Sequence, residues 1–177
     1  MSFEGCKPIR WEGRWGSFGE LAECPTGSFA YGYRLRSEPA QGSGDDTALN
    51  DIELYCRRPH SYEVTGKIYG DYRTWGNWSS DKYCSGTNNP IVGFDVNEES
   101  AQGDGDDTAL NAVDLYCSNG DMISAHVNTN YGSWKPKQRC PNWTAVMAIR
   151  TQVESKQGSG DDTALNGIEL ICERYPF

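Results

Sequence analysis

The chain has 177 residues, 20 of them Gly, with 12% aromatic residues, a net charge of −9 and a pI of about 4.7. That charge argues against nucleic-acid phosphates and anionic membrane surfaces, both of which select basic patches, and leaves room for neutral glycans or cationic partners. No apolar run approaches the roughly 20 residues of a membrane helix, while the length suits one compact domain with a sizeable core.

The Gly content and the lack of any long run of helical period predict short strands joined by turns. An alternating run over 9–15 predicts the first strand, followed by the aromatic corner Trp15-Gly16-Ser17-Phe18. Cys24 lies six residues beyond Phe18, and Pro25 and Gly27 mark a turn. Next, Phe29, Tyr31, Tyr33 and Leu35 alternate with Arg34, Arg36 and Glu38, the period of two that marks a half-buried strand. A loop leads into a strand over 49–56, with Ile52, Leu54 and Cys56 on one face.

The plan then recurs. Strands are predicted over 64–72, 91–99 and 110–117, with the corner Trp75-Gly76-Asn77-Trp78 and Cys84 again six residues on. A third set covers 122–130, 144–154 and 165–172, with the corner Tyr131-Gly132-Ser133-Trp134 before Cys140. The connecting loop is nearly invariant between copies: Gln-Gly-x-Gly-Asp-Asp-Thr-Ala-Leu-Asn stands at 41–50, 102–111 and 157–166. Three repeats of one domain are thus expected over approximately 7–59, 60–119 and 120–177. Each supplies about four strands, and a lone four-stranded sheet cannot bury its apolar face. Three sheets around a pseudo-threefold axis, enclosing a Trp, Leu and Ile core, answer that need better than a barrel or propeller.

Six of the seven cysteines fall at equivalent positions, Cys24 and Cys56, Cys84 and Cys117, Cys140 and Cys172, at intervals of 32, 33 and 32 residues. The spacing reads as one disulfide per repeat, among the 15 pairings that six cysteines allow. Disulfides imply an oxidising compartment. No apolar leader is visible over 1–24, so the expectation is a secreted, extracellular protein whose leader has been removed. The sequons at Asn77 and Asn142 agree with secretion. Cys6 is left over.

These motifs, aromatic-Gly-x-aromatic before a Cys and the Gln-Gly-x-Gly-Asp-Asp-Thr-Ala-Leu-Asn-x-apolar-x-Leu-x-Cys block, occur three times over nearly the whole chain. The chain thereby resembles the vitelline membrane outer layer protein family. The resemblance implies an all-β type I β-prism of three four-stranded Greek-key sheets, one per repeat. It also implies a secreted protein of egg coats, mucus or similar fluids. The avian egg-coat member of the family is associated with transfer of chito-oligosaccharides, and the same fold occurs in jacalin-like lectins. Cys6 departs from the family pattern, as does the lack of a further cysteine pair near the C-terminus.

Three sets of residues are candidates for chemistry. Glu38, Glu99 and Glu154 each precede the motif's Gln by three residues, and Asp45, Asp106 and Asp161 follow within the loop. Glycoside hydrolysis needs two carboxyls roughly 5–10 Å apart. A turn whose Asp, Thr and Asn bond the backbone explains a threefold motif better than catalysis does, because an active site is one asymmetric constellation. Calcium suits such loops weakly: the EF-hand-like start at Asp104 meets Leu115 at its twelfth position, where a Glu is required. Among the aromatics, Trp15, Trp75 and Trp134 read as repeated core corners. The unrepeated Trp11 and Trp143 read as exposed platforms for sugar faces, with Asp45, Asp106 and Asp161 as hydrogen-bonding partners. His60 and His126 have no second ligand at zinc spacing.

The expected function is a non-catalytic structural or glycan-binding protein of an extracellular coat or fluid, with glycans or matrix proteins as partners. Neither cofactor nor metal is expected. The alternatives are a transglycosylase acting on N-acetylglucosamine oligomers and a binder of a small hydrophobic molecule.

Overall fold

A computed structural model describes residues 7–14, 16–38, 48–70, 76–98, 110–125, 132–153 and 165–177, with the side chains of residues 7, 38 and 48 outside that description. Fifteen strands follow in order: β1 Lys7–Trp11, β2 Ser17–Phe18, β3 Ala22–Glu23, β4 Phe29–Glu38, β5 Ala48–Arg57, β6 Val64–Tyr69, β7 Asn77–Trp78 and β8 Lys82–Tyr83. The rest are β9 Ile91–Glu98, β10 Leu110–Cys117, β11 Met122–Ser124, β12 Ser133–Trp134, β13 Gln138–Arg139, β14 Thr144–Val153 and β15 Leu165–Arg174. Among the described residues there is no helix.

Three antiparallel sheets result, ordered β6-β5-β4-β7, β11-β10-β9-β12 and β1-β15-β14-β2. In each, a second short segment (β8, β13 or β3) continues the interrupted edge strand along the same partner, so every sheet is four strands wide. Three strands joined by successive hairpins, with a fourth returning beside the first, make the Greek key. The long central hairpins come one from each repeat. The flanking strands come from the repeat that follows, and in the third sheet from the chain's own beginning. β1 pairs with β15 from Lys7↔Cys172 to Trp11↔Ile168, so the first strand closes the ring of sheets. Trp11 is its last residue, and the strand expected over 9–15 ends there.

The pattern of two in β4 does what alternation predicts. Tyr31, Tyr33 and Leu35 are fully buried and point to the axis, whereas Arg34 and Arg36 lie on the outer face. Leu49, Leu110 and Leu165, the Leu of each repeated loop, are also fully buried. Burying an aliphatic side chain of this size contributes roughly 1.5–3 kcal/mol, so each motif is anchored by its apolar end. Buried hydroxyls join the sheets: Tyr33 Oη donates to Val113 O at 2.7 Å and accepts from Ala125 N at 2.8 Å.

Two expectations about tryptophan need correction. Among the described residues no Trp is fully buried, and the large core side chains are Tyr31, Tyr33, Tyr175 and Phe94. Trp134 is not a core corner. It lies on an edge strand in register with Asn97, and 41% of it is exposed. Its equivalents are Trp78, opposite Arg36, and Phe18, opposite Gln152, not Trp15 and Trp75. Those two tryptophans lie outside the described residues.

The glycine of the aromatic corner has a mechanical reason. Gly76 has φ +93°, in the region open chiefly to Gly, and a Cβ there would stand 2.4 Å from Ser37 O and 2.9 Å from Asn50 Nδ2. Asn50 ends the first copy of the repeated loop, so corner and loop meet at this point. The first motif's Asn thus packs against the corner glycine of the next repeat.

Candidate functional site

Cys24–Cys56, Cys84–Cys117 and Cys140–Cys172 are disulfide-bonded, each with Cα atoms 5.8 Å apart. All three bridges tie the end of a sheet away from the repeated loops. At the third, Cys140 N also donates to Val92 O at 2.7 Å, so the chain leaves the bridge in a fixed direction. It must then reverse into β14 within four residues, 141–144. Thr144 closes that turn, donating from its N at 3.2 Å and its Oγ1 at 2.6 Å to Pro141 O.

Trp143 sits inside this turn with φ +67°, a left-handed conformation that is rare for a bulky residue. Its backbone is held, for Tyr175 N donates to Trp143 O at 2.9 Å. Its indole is 71% exposed and meets Phe177 edge-on, with ring centroids 6.2 Å apart. Phe177 packs on buried Tyr175 at 4.4 Å, and Tyr175 packs on Phe29 at 4.9 Å. The exposed pair is therefore the outer end of an aromatic chain rooted in the core. Beside it lies a groove of about 250 Å³, lined by Val92, Ser118, Arg139, Asn142, Trp143 and Phe177. An apolar platform flanked by a guanidinium, a hydroxyl and an amide is suited to a ligand with one apolar face and several hydroxyls.

The other sequence candidates do not gather here. Trp11 is only partly exposed and packs against the core, which corrects its expected role as an open platform. Its indole N–H donates to Glu98 Oε2 at 3.1 Å, and the Lys135 ammonium lies 5.7 Å from its ring. Trp11 pairs with Ile168, while the Trp143 turn lies beyond Arg174. At about 3.4 Å per residue the two indoles are separated by roughly 20 Å along β15. Asp45, Asp106 and Asp161 lie outside the described residues, as do Glu99, Glu154, His126, Cys6 and the calcium reading of the loops. Glu38 is described only through its backbone, paired with Ala48. Among the described residues no cluster of three His, Cys, Asp or Glu could hold a metal ion, and His60 is exposed. Asn77 and Asn142 both present exposed side chains, Asn142 at the rim of the groove.

The outer faces of the sheets carry an asymmetry that the repeats conceal. In sheet one Arg34 pairs with Glu53 at 2.8 Å, and its guanidinium covers Trp78 at 4.2 Å. In sheet three Arg150 pairs with Glu169 at 2.6 Å, and Arg10 and Arg150 cover Phe18 at 4.1 and 5.2 Å. In sheet two the same ladder position holds Asp95 opposite Asp114. Burial pushes the Asp95 carboxyl above its ordinary range and the charge of Asp114 adds to this, against the Tyr116 hydrogen bond and the Lys137 ammonium. Tyr116 Oη donates to Asp95 Oδ2 at 2.8 Å, and Ser124 Oγ to Asp114 Oδ1 at 2.6 Å. Without the guanidinium clamp, Trp134 stands more open than its counterparts Trp78 and Phe18.

Phe177, Asp95 and Asp114 were not singled out from sequence. For Phe177 a signal existed in Tyr175-Pro176-Phe177, two aromatics around a Pro after the last strand. For Asp95 it was the replacement of Arg by Asp at one repeat position, since Arg34, Asp95 and Arg150 each stand seven residues before the motif's Gln.

The family model described as vitelline membrane outer layer protein I matches residues 8–172. A relative from Mus musculus, the vitelline membrane outer layer protein 1 homolog, is 37% identical over 163 residues, covering 90% of this chain and 79% of its own. Its Homo sapiens counterpart is 36% identical over 165 residues, covering 92% and 79%. Among solved structures, the mannose-binding lectin from champedak superposes with a TM-score of 0.60 at 8% identity, over 97% of this chain and 99% of that one. The Calystegia sepium agglutinin gives 0.61 at 9% identity, over 97% and 98%. Those two likenesses establish the β-prism fold. The sequence matches go further: the chain belongs to the vitelline membrane outer layer protein I family.

Proposed function

We propose that this protein is an extracellular glycan-binding protein and that a neutral sugar docks on Trp143 and Phe177. The observation that carries the reading is Trp143 itself, a large aromatic 71% open to solvent and held in a left-handed turn beside a polar-rimmed groove. Strained backbone of this kind costs of order 1–3 kcal/mol and persists where the surroundings enforce it. The apolar C–H face of a pyranose covers the indole, while Arg139, Ser118 and Asn142 meet its hydroxyls. Mannose-binding lectins share the fold, which makes a sugar ligand a reasonable class to test but does not by itself transfer function. The three disulfides suit an oxidising extracellular compartment. The acidic chain favours neutral over strongly acidic matrices.

The test is a glycan array followed by titration calorimetry on wild type and Trp143→Ala. Protein made without N-glycans is compared with glycosylated protein, because a glycan on Asn142 would stand at the groove's rim. The expected result is selective binding that Trp143→Ala weakens by at least about tenfold, equivalent to about 1.4 kcal/mol. Equal binding by both proteins removes the groove from consideration. The same samples are incubated with N-acetylglucosamine oligomers, and new oligomer lengths would replace this reading with a transglycosylase.

A further inference from the structure

Arg57 ends β5, directly after the disulfide-bonded Cys56, and only 8% of it is exposed. A guanidinium so removed from water ordinarily has a carboxylate partner. Here none of the described acids pairs with it, and no guanidinium nitrogen of Arg57 donates a hydrogen bond to a described residue. Its Nε is buried with no acceptor at all. What surrounds it is aromatic: its guanidinium carbon lies 4.5 Å from the Tyr83 ring centroid, 5.6 Å from Tyr62 and 5.7 Å from Tyr31. Cation–aromatic contacts offset part of the desolvation cost, but they leave the in-plane N–H donors unused. Those donors are the edge that carboxylates and sulfates engage in pairs.

The setting has further features that favour an anion. Arg58 and His60 stand on the same short join, both exposed, and Lys67 lies 5.3 Å from the ring of Tyr55, which stacks on Tyr83. Asp81, the carboxylate nearest in influence to Tyr83, is engaged by the Tyr55 hydroxyl at 2.7 Å. Tyr62 is largely exposed and forms the outer wall of the cage, over the guanidinium. Among the described residues the cage occurs in sheet one alone. The residues after the equivalent cysteines are Ser118 and Glu173, so threefold structural necessity does not explain Arg57.

We propose that Arg57, walled by Tyr31, Tyr62 and Tyr83, is an oxyanion-binding site that takes a sulfate or carboxylate group. The site is separate from the Trp143 groove and holds whether or not that groove binds sugar. The group arrives either as a free ion or as the acidic substituent of a glycan, and both share the same bidentate recognition.

The Arg57 Nε–H nitrogen-15 resonance reads occupancy in the wild-type protein. Sodium sulfate is titrated at constant ionic strength with sodium chloride as the balancing salt, then N-acetylglucosamine 6-sulfate and unsulfated N-acetylglucosamine. The expected result is a saturable shift with sulfate. A sulfated sugar that binds more tightly than sulfate identifies a glycan source, and equal affinity identifies the free ion. Arg57→Met is expected to abolish the sulfate-dependent rise in melting temperature, and Arg57→Lys to weaken it about tenfold, since Lys lacks the paired donors. Should Arg57→Met fail to fold, Tyr62→Ala removes an exposed wall and is expected to weaken the Nε–H response. An unmoved Nε–H signal up to about 50 mM sulfate, where a millimolar site is nearly saturated, overturns the proposal. So does the same thermal response to sulfate in wild type and Arg57→Met.

Discussion

Asp95 stands directly across the β-ladder from Asp114, at the position where the other two sheets pair Arg34 with Glu53 and Arg150 with Glu169. Like charges opposed in a ladder cost roughly 0.2–1 kcal/mol. The Asp95 carboxyl is held above its ordinary 3.8, first by burial and then by Asp114. Between 3.8 and that raised value the folded chain binds more protons at Asp95 than the unfolded chain does. Stability therefore falls as pH rises through this window. Asp95→Asn keeps an acceptor for Tyr116 and removes the charge. It is expected to raise stability above the window by up to about 1 kcal/mol and to flatten this part of the pH dependence. Urea unfolding from pH 4 to 8 measures both, and a variant less stable than wild type at pH 7 would contradict the assignment.

The disulfides close loops of 32 or 33 residues. Loop entropy assigns each about 3–4 kcal/mol. Replacing Cys140 and Cys172 together by Ala is expected to lower the unfolding free energy by about that amount and to loosen the Trp143 turn, which starts at Cys140. Replacing Cys24 and Cys56 should cost similar stability while leaving sugar binding intact. Denaturant unfolding alongside binding separates the two effects, and no difference in binding between the variants would detach the groove from its bridge.

Much of this molecule is legible in its sequence because repetition and period-two patterning are local signals. The core-facing Tyr31, Tyr33 and Leu35 of strand 29–38 follow from alternation, and the cysteine pairs from equal spacing, whereas strand 49–56 is buried on both faces, Asn50, Asp51 and Glu53 included. What escaped depends on contacts between distant residues. Trp134 already holds the corner's fourth place, with Phe18 and Trp78 rather than Trp15 and Trp75, but its position on an exposed edge strand appears only in the register. Trp11 lacks repeat partners and so read as exposed, yet Glu98, 87 positions away, receives its N–H. Arg57 reads as one residue of a polar join until the rings of Tyr31, Tyr62 and Tyr83 close around it.

The Tyr33 hydroxyl links sheet one to sheet two through Val113 O and Ala125 N. Tyr33→Phe leaves both backbone groups buried without that partner and creates almost no cavity. A loss of about 1–3 kcal/mol is expected. Hydrogen exchange at Ala125 N–H should accelerate in the variant beyond the global change. Unchanged stability would mean that water replaces the hydroxyl.

Two glycines with similar φ separate strain from contact. Gly27, at φ +82°, has open space where a Cβ would go, whereas at Gly76, φ +93°, that atom meets Ser37 O at 2.4 Å. Gly27→Ala should cost about 1 kcal/mol from the left-handed backbone alone. Gly76→Ala should cost clearly more, because backbone must also move. Equal losses in thermal unfolding would show that the Gly76 corner is not held against β4.

Trp143 offers the sharpest separation of function from stability. Its left-handed backbone costs a non-glycine residue roughly 1–2 kcal/mol, and its contact with Phe177 returns about 0.5–1.5 kcal/mol at most. Trp143→Gly relieves the first and forfeits the second, so folding stability should change by something between a loss of about 0.5 kcal/mol and a gain of about 1.5 kcal/mol. Sugar binding, if it rests on the indole, should be lost. That combination, measured by denaturant unfolding and calorimetry on one preparation, is the signature of a residue kept for its ligand against its own backbone preference. A stability loss above about 2 kcal/mol would instead make the indole a structural cap over Phe177 and Tyr175, and the platform would have to be sought elsewhere on the prism.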